Sequence, residues 1–323
     1  MEWSLLNETR VDRTSYVYTF ACREEEFSLC QLETRALFGV DTELKILESV
    51  LKVDPSRSPF INERIGVIFK EDTLDELVEK VKGLPPITTS FKVKVIKFKN
   101  TTGMEKLRFE ERRAIEREIG LAVPGQPDLN QPDVVFGIIK SQGRWIFGDL
   151  KENQSVWFTH QQKPHQYSTA LSTRVARAVV NIAVPNPIGL KVIDPCCGIG
   201  TVLVEALSMG VDIVGSDYNS LVMKGARENI AHFGLNGDVI LSDIRDVTGR
   251  FDVAIIDMPY NLCSVITTQE QLDMLQSARR FTKRLVVVTL EPIDEVLTEA
   301  GFSIVDRCEA RKAKLVREIL VCE

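Results

Sequence analysis

Four aspartates, Asp194, Asp217, Asp243 and Asp257, each close a short apolar run: KVID, IVGSD, VILSD and VAIID. Such runs, alternating with helical stretches, read as strands of a mostly parallel sheet covered on both faces. In an open parallel sheet the ligand lies beyond the carboxyl ends of the strands, so the four carboxylates gather along one rim. A single aspartate after a strand commonly caps the next helix. Four in order, beside a glycine-rich turn, point instead to a binding site. That turn is DPCCGIGTVLVEAL, in which Gly198 and Gly200 let backbone amides approach a ligand closely. Leu203 stands where a dinucleotide fingerprint needs its third glycine, so no pyrophosphate cradle is specified. Asp217 lies about as far downstream as a carboxylate that grips ribose hydroxyls. A nucleoside-bearing cofactor fits this pattern.

The last of the four strands, in FDVAIIDMPYNL, stops at Asp257 and delivers Met258, Pro259 and Tyr260 to the same rim. A carboxylate, a proline and an aromatic side chain are thereby brought to one spot.

Elements that would position these residues are legible upstream as well. A chain of 323 residues has room for two or three domains of about 100 to 150 residues. The run SYVYTFACREEEFSLCQLETRALFG reads as a strand and a helix ended by Gly39, and TELKILESVLKVD as strands. Together they suggest a small α+β unit over residues 1–62. A second region, 63–158, has the strand RIGVIFK and the helix TLDELVEKVKGL, with a capping box at Thr73 and Glu76. Next come the half-exposed strand SFKVKVIKFK, the helix EKLRFEERRAIEREIG and a hairpin turning at SQGR. Lys92, Lys94, Lys97 and Lys99 share the polar face of that strand. With Arg112 they mark a locally basic surface, although the whole chain carries a net charge of −6. Residues 159–165 read as a linker, and 166–323 as the α/β domain bearing the aspartates.

Seven cysteines without a C-x-x-C pair, and only His160, His165 and His232, argue against a zinc site; no metal is expected. The cysteines read as reduced, small hydrophobes. Without a long apolar run or a leader-like amino terminus, the sequence suggests a cytoplasmic protein off the membrane. A monomer is expected.

DPCCGIGT, GSD, LSDI and DMPY resemble the class I S-adenosylmethionine-dependent methyltransferases that modify exocyclic amino groups. FKVKVIKF, IGLAVPGQPDLNQPDVVFGI and WIFGDL look like a THUMP domain, an RNA-binding module. An amino-terminal ferredoxin-like unit, a THUMP domain and a carboxy-terminal Rossmann-like methyltransferase together resemble the tRNA guanosine N2-methyltransferases. The resemblance implies transfer of a methyl group from S-adenosyl-L-methionine to N2 of a tRNA guanosine at position 6 or 10. It assigns Asp194, Pro195, Cys196, Gly198, Gly200 and Thr201 to the methionine part of the cofactor. It also gives Asp217 to the ribose, Asp243 and Ile244 to the adenine, and Tyr167 and Ser168 to the methionine end, with Asp257 adjoining. Other readings are an rRNA guanine-N2 or DNA adenine enzyme, or a catalytically weak RNA-binding protein of the same fold.

By the same resemblance Asp257 and the carbonyl of Met258 hold the amine, Pro259 shapes the turn and Tyr260 stacks on the base. The family pattern has Pro-Pro after the acid or amide, and Met258 departs from it. Methionine keeps the carbonyl but drops the φ restraint of proline, which implies a looser site. Arg279 and Arg280, with Lys283 and Arg284, form a further basic cluster that could meet the tRNA backbone. A second cluster, from Arg307 to Arg317, straddles the final turn.

Overall fold

A computed structural model describes residues 15–41, 45–97, 107–167, 170–259, 266–312 and 315–323. In chain order its first half runs β1 (Tyr16–Phe20), α1 (Phe27–Phe38), β2 (Ile46–Ser49), β3 (Ile61–Glu71), α2 (Leu74–Lys82) and β4 (Ser90–Val95). It continues through α3 (Phe109–Ala122), β5 (Gln126–Pro127), β6 (Val134–Ser141) and β7 (Arg144–Glu152). The second half runs α4 (Val156–Thr159), α5 (Thr173–Ala183), β8 (Lys191–Asp194), α6 (Thr201–Ser208), β9 (Asp212–Asp217), α7 (Ser220–His232) and β10 (Val239–Leu241). It ends with β11 (Phe251–Asp257), α8 (Thr268–Phe281), β12 (Thr282–Thr289), α9 (Asp294–Glu299), β13 (Ile304–Lys312) and β14 (Leu315–Cys322).

Two compact units result. One comprises Met1–Ala21, Thr42–Pro55 and Ile61–Asn153, the other Cys22–Asp41, Ser56–Phe60 and Gln154–Glu323. In the first, a single seven-stranded sheet has the order β2-β1-β3-β7-β6-β4-β5. The boundary expected at residues 62 and 63 falls within β3, which pairs with β1 on one side and β7 on the other. The capping box expected of α2 is formed, with Thr73 Oγ1 accepting from the Glu76 amide and Glu76 Oε2 from the Thr73 amide. β4 alternates as the sequence implies, burying Phe91, Val93 and Val95 against α2 and α3 while Lys92 and Lys94 face outward. Lys99 and the residues around it lie outside the described residues.

The second unit contains a seven-stranded sheet of order β10-β9-β8-β11-β12-β14-β13. Its first five strands are parallel, and β14 runs antiparallel to both its neighbours, β12 and β13. This is the expected doubly covered α/β sheet. No helix among the described residues is long and apolar enough to cross a membrane. Nor do the described residues contain a group of three or more His, Cys, Asp or Glu placed to hold a metal.

α1 and residues 56–60 belong to this second unit, where a buried polar network holds them. Arg177 of α5, 3 % exposed, donates to Glu205 Oε2 of α6 at 2.7 Å and to the carbonyls of Ser56 and Arg57 at 2.7 and 2.9 Å. Glu205 also meets His160 Nδ1 at 2.8 Å. Asn181, one turn beyond Arg177, donates to Glu33 of α1 at 2.6 Å and accepts from Arg57 at 2.8 Å. Buried charges of this kind are stable only while paired and hydrogen-bonded. Arg177→Ala should therefore strip Glu205 of its cation and destabilise the protein by about 3–5 kcal/mol in urea unfolding. A loss below about 1 kcal/mol, as for an exposed pair, would contradict that role.

Candidate active site

The sheet of the second unit reverses direction of growth at β8. β8 pairs with β9 on one side and with β11 on the other, and a cleft of about 320 Å³ opens beyond their carboxyl ends. That volume is at the lower end for small-molecule sites. After Asp194 the chain turns through Pro195–Gly200, with Gly198 at φ 51° and Gly200 at φ 77°, both left-handed. Three hydrogen bonds from backbone amides set the turn: Cys197 N–H to Ser216 O at 2.9 Å, Gly198 N–H to the side-chain Oδ2 of Asp217 at 2.9 Å and Gly200 N–H to Cys197 O at 2.8 Å. The turn is thereby tied to the end of β9 before α6 begins at Thr201.

Tyr167, Asp194, Cys196, Gly198, Thr201, Asp257, Met258 and Pro259 all line the cleft. Pro195, Gly200, Asp217, Asp243 and Ile244 are not among its lining residues. Ser168 and Tyr260 lie outside the described residues. Asp217 accepts one backbone amide on each oxygen, from Gly198 and from Asn219, both at 2.9 Å. Asp243 caps the turn Ile244–Asp246 and binds the Arg245 guanidinium through both oxygens, at 2.9 and 2.7 Å. That pairing holds its carboxyl below the usual range.

Asn219 and Ile199 line the cleft without having been singled out from sequence. For Asn219 a signal existed: it is the N-cap of α7, accepting from Leu221 N–H at 3.0 Å directly after the aspartate of β9.

The cleft is acidic, and its acids are buried. Burial pushes the Asp194 carboxyl well up; a hydrogen bond from the Cys196 amide opposes this, and the neighbouring Asp257 and Asp217 add to it. Burial also pushes Asp257 up to about 7, against the opposing charge of Arg317. Asp257 Oδ1 and Thr201 Oγ1 are buried without a hydrogen-bond partner among the described residues. Two orphaned polar atoms in one cleft are what a polar ligand would satisfy. The thiols of Cys196 and Cys197 are pushed up by burial and by the surrounding carboxylates, which suppresses thiolate chemistry.

Met258 does not leave the end of β11 loose, contrary to the expectation from its departure from proline. Its N–H donates to the Val288 carbonyl at 2.9 Å, carrying the β11–β12 pairing one residue past Asp257. Its side chain is 3 % exposed, packed with Ile256, Leu272 and Val287. A proline here would lack that donor.

The basic residues singled out from sequence are partly engaged within the chain. Lys92 Nζ donates to the Leu129 carbonyl at 2.9 Å, and Lys94 pairs with Glu152. Lys97 is exposed, and the Arg112 guanidinium lies 5.7 Å from the Phe109 ring centroid. In the second unit Arg279 covers the Phe302 ring at 4.9 Å and Arg280 donates to the Arg245 carbonyl at 2.6 Å.

Residues 160–291 match a family described as the RMKL-like methyltransferase domain. The chain is 30% identical over 222 residues to the tRNA (guanine(10)-N2)-dimethyltransferase of Methanothermobacter thermautotrophicus; the match covers 67% of this chain and 64% of that one. It is 32% identical over 155 residues to the mouse U6 snRNA (guanine-N(2))-methyltransferase THUMPD2, covering 45% of this chain and 28% of the relative. Its fold is similar to that of TrmN from Thermus thermophilus, with a TM-score of 0.50, 18% identity and 96% and 99% of the two chains covered. The family match over residues 160–291 spans the turn after β8, Asn219 after β9 and the strand end bearing Asp257, all of which line the cleft. That match covers less than half of the chain, and the chain spans less than two thirds of the archaeal relative's length.

Proposed function

We propose that the protein methylates the exocyclic N2 amino group of a guanosine in tRNA, at position 10 or 6, using S-adenosyl-L-methionine. The observation that carries this reading is Asp257. It sits at the rim of the cleft with a buried, unpartnered oxygen and a carboxyl raised to about 7, ready to accept hydrogens from an amine. The name of the archaeal relative supports guanosine N2 as the target and tRNA as the substrate.

S-adenosylmethionine, when bound, supplies an electrophilic methyl group on a sulfonium. The residues fit such a group. Thr201 Oγ1 lacks a partner, the left-handed Gly198 has open space where a side chain would stand, and the acidic cleft favours a cation. The turn from Asp194 to Thr201 would hold the methionine part. Asp217 spends one acceptor site of each oxygen on backbone amides and keeps others for ribose hydroxyls. Ile244, with Asp243 locked to Arg245, would border the adenine.

On the substrate side, guanine N2 is a weak nucleophile because its lone pair is delocalised into the ring. Asp257 and the Met258 carbonyl orient it by accepting its hydrogens, an effect that can be worth several kcal/mol. Asp257 is also placed to take the proton the nitrogen sheds on substitution. Tyr260 would stack on the extruded base. The first unit, read as a THUMP-type RNA-binding part after a ferredoxin-like segment, would grip the tRNA through Lys92, Lys94, Lys97, Lys99 and Arg112. Arg279 and Arg280 would assist from the second unit. The protein would work as a cytoplasmic monomer.

Incubation with methyl-labelled cofactor and unmodified tRNA, followed by digestion, should yield labelled N2-methylguanosine. Label entering rRNA or U6 snRNA but not tRNA would overturn the substrate. Asp257→Ala should abolish transfer while leaving cofactor affinity within about threefold of wild type; an unchanged rate would contradict the mechanism. Because protonated Asp257 has lost its negative charge for the amine, kcat/KM should rise with pH up to about 7 and level off above it. A flat profile from pH 5 to 8 would rule out that role, the range being set by the carboxyl of about 7. Met258→Pro should lower stability by about 1–3 kcal/mol and reduce turnover, because the Val288 carbonyl loses its donor. Wild-type stability and turnover in that variant would show that the hydrogen bond does not organise the site.

A further inference from the structure

Gly225, Glu228 and Asn229 occupy one face of α7, and all three meet His165. Asn229 has no solvent exposure. Its Oδ1 accepts from the His165 amide at 2.9 Å, and its Nδ2 donates to the His165 carbonyl at 3.1 Å and to the Ile199 carbonyl at 2.9 Å. The carboxamide thus grips both backbone groups of one residue and reaches the glycine-rich turn with the same nitrogen. Glu228 hydrogen-bonds His165 Nε2. Gly225 makes space for the imidazole, since a Cβ there would stand 3.3 Å from His165 Cγ. Two residues beyond His165, Tyr167 lines the cleft, as does Ile199, whereas Asn229 does not.

We propose that Asn229, with Gly225 and Glu228, is a positioning dock that holds the entry segment through Tyr167 against the glycine-rich turn and so sets cofactor affinity. The proposal rests on reading the cleft as the S-adenosylmethionine site. The choice of residue follows from the bonds. Aspartate would point an oxygen at two carbonyls, and leucine would take the partner from three backbone groups, the bond to the Ile199 carbonyl being buried. Asn229 does not line the cleft; it acts through the His165 peptide and the Ile199 carbonyl.

The test is calorimetric titration of S-adenosylmethionine and S-adenosylhomocysteine into the full chain and its variants Asn229→Ala, Asn229→Asp and Gly225→Ala, with melting temperatures measured alongside. Both Asn229 variants should bind at least about tenfold more weakly than wild type. Gly225→Ala, which keeps the carboxamide but crowds the imidazole, should bind about threefold or more weakly. In the double variant Gly225→Ala/Asn229→Ala the two losses should not add, because both displace the same segment. Should an Asn229 variant fail to fold, Gly225→Ala decides the matter alone. Wild-type affinity in Gly225→Ala, or in a folded Asn229 variant with merely a lowered melting temperature, would overturn the dock while leaving the cleft's reading intact. A wild-type chain that binds neither compound would overturn both.

Discussion

The parallel pairing of β8 with β9 on one side and β11 on the other is the constraint from which the site follows. The chain leaving β8 turns toward β9, while the chain leaving β11 turns the other way. The loops part, and a crevice opens between them. Everything chemically useful is delivered to that opening by a strand end. Asp194 and its glycine turn come from β8, Asn219 follows β9, whose last residue Asp217 anchors that turn, and Asp257 with Met258 ends β11. Hydrogen bonding among these ends then stiffens the opening. The Asp217 carboxylate ties down Gly198, and the Met258 amide ties β11 to β12.

The electrostatics follow from the same geometry. Burial at the rim pushes both Asp194 and Asp257 upward; for Asp194 the neighbouring Asp257 and Asp217 add to it, while Arg317 opposes the shift of Asp257. Asp243, by contrast, sits beside a guanidinium and shifts downward. One pattern of strand-ending aspartates thus yields members with different work. Two are buried acids facing the cleft, one is an amide-bound anchor, and one is locked in an ion pair.

Much of this was legible locally. Strand-helix alternation, the glycine turn, the Thr73 capping box and the strand-ending Asp194, Asp217 and Asp257 depend on residues close in sequence and form as read, whereas Asp243 lies two residues past β10 and caps the next turn. What could not be read depends on partners far apart. Nothing near α1 announces that Glu33 meets Asn181, 148 positions away, so the placement of α1 in the second unit stayed hidden. Nothing near Asn229 in sequence marks it out, because its partners, His165 and Ile199, lie in other segments. Met258 misled for a different reason. Comparing it with proline draws attention to the lost φ restraint, while the amide it gains matters only once β12 is alongside.

The central claim, that this crevice is a cofactor site built by the ends of β8, β9 and β11, is tested most directly by titrating S-adenosylmethionine into the protein in a calorimeter. The account predicts saturable one-to-one binding that is lost when Gly198, whose φ of 51° and open surroundings define the turn, is replaced by valine. No heat at millimolar cofactor, or undiminished binding by Gly198→Val, would contradict it.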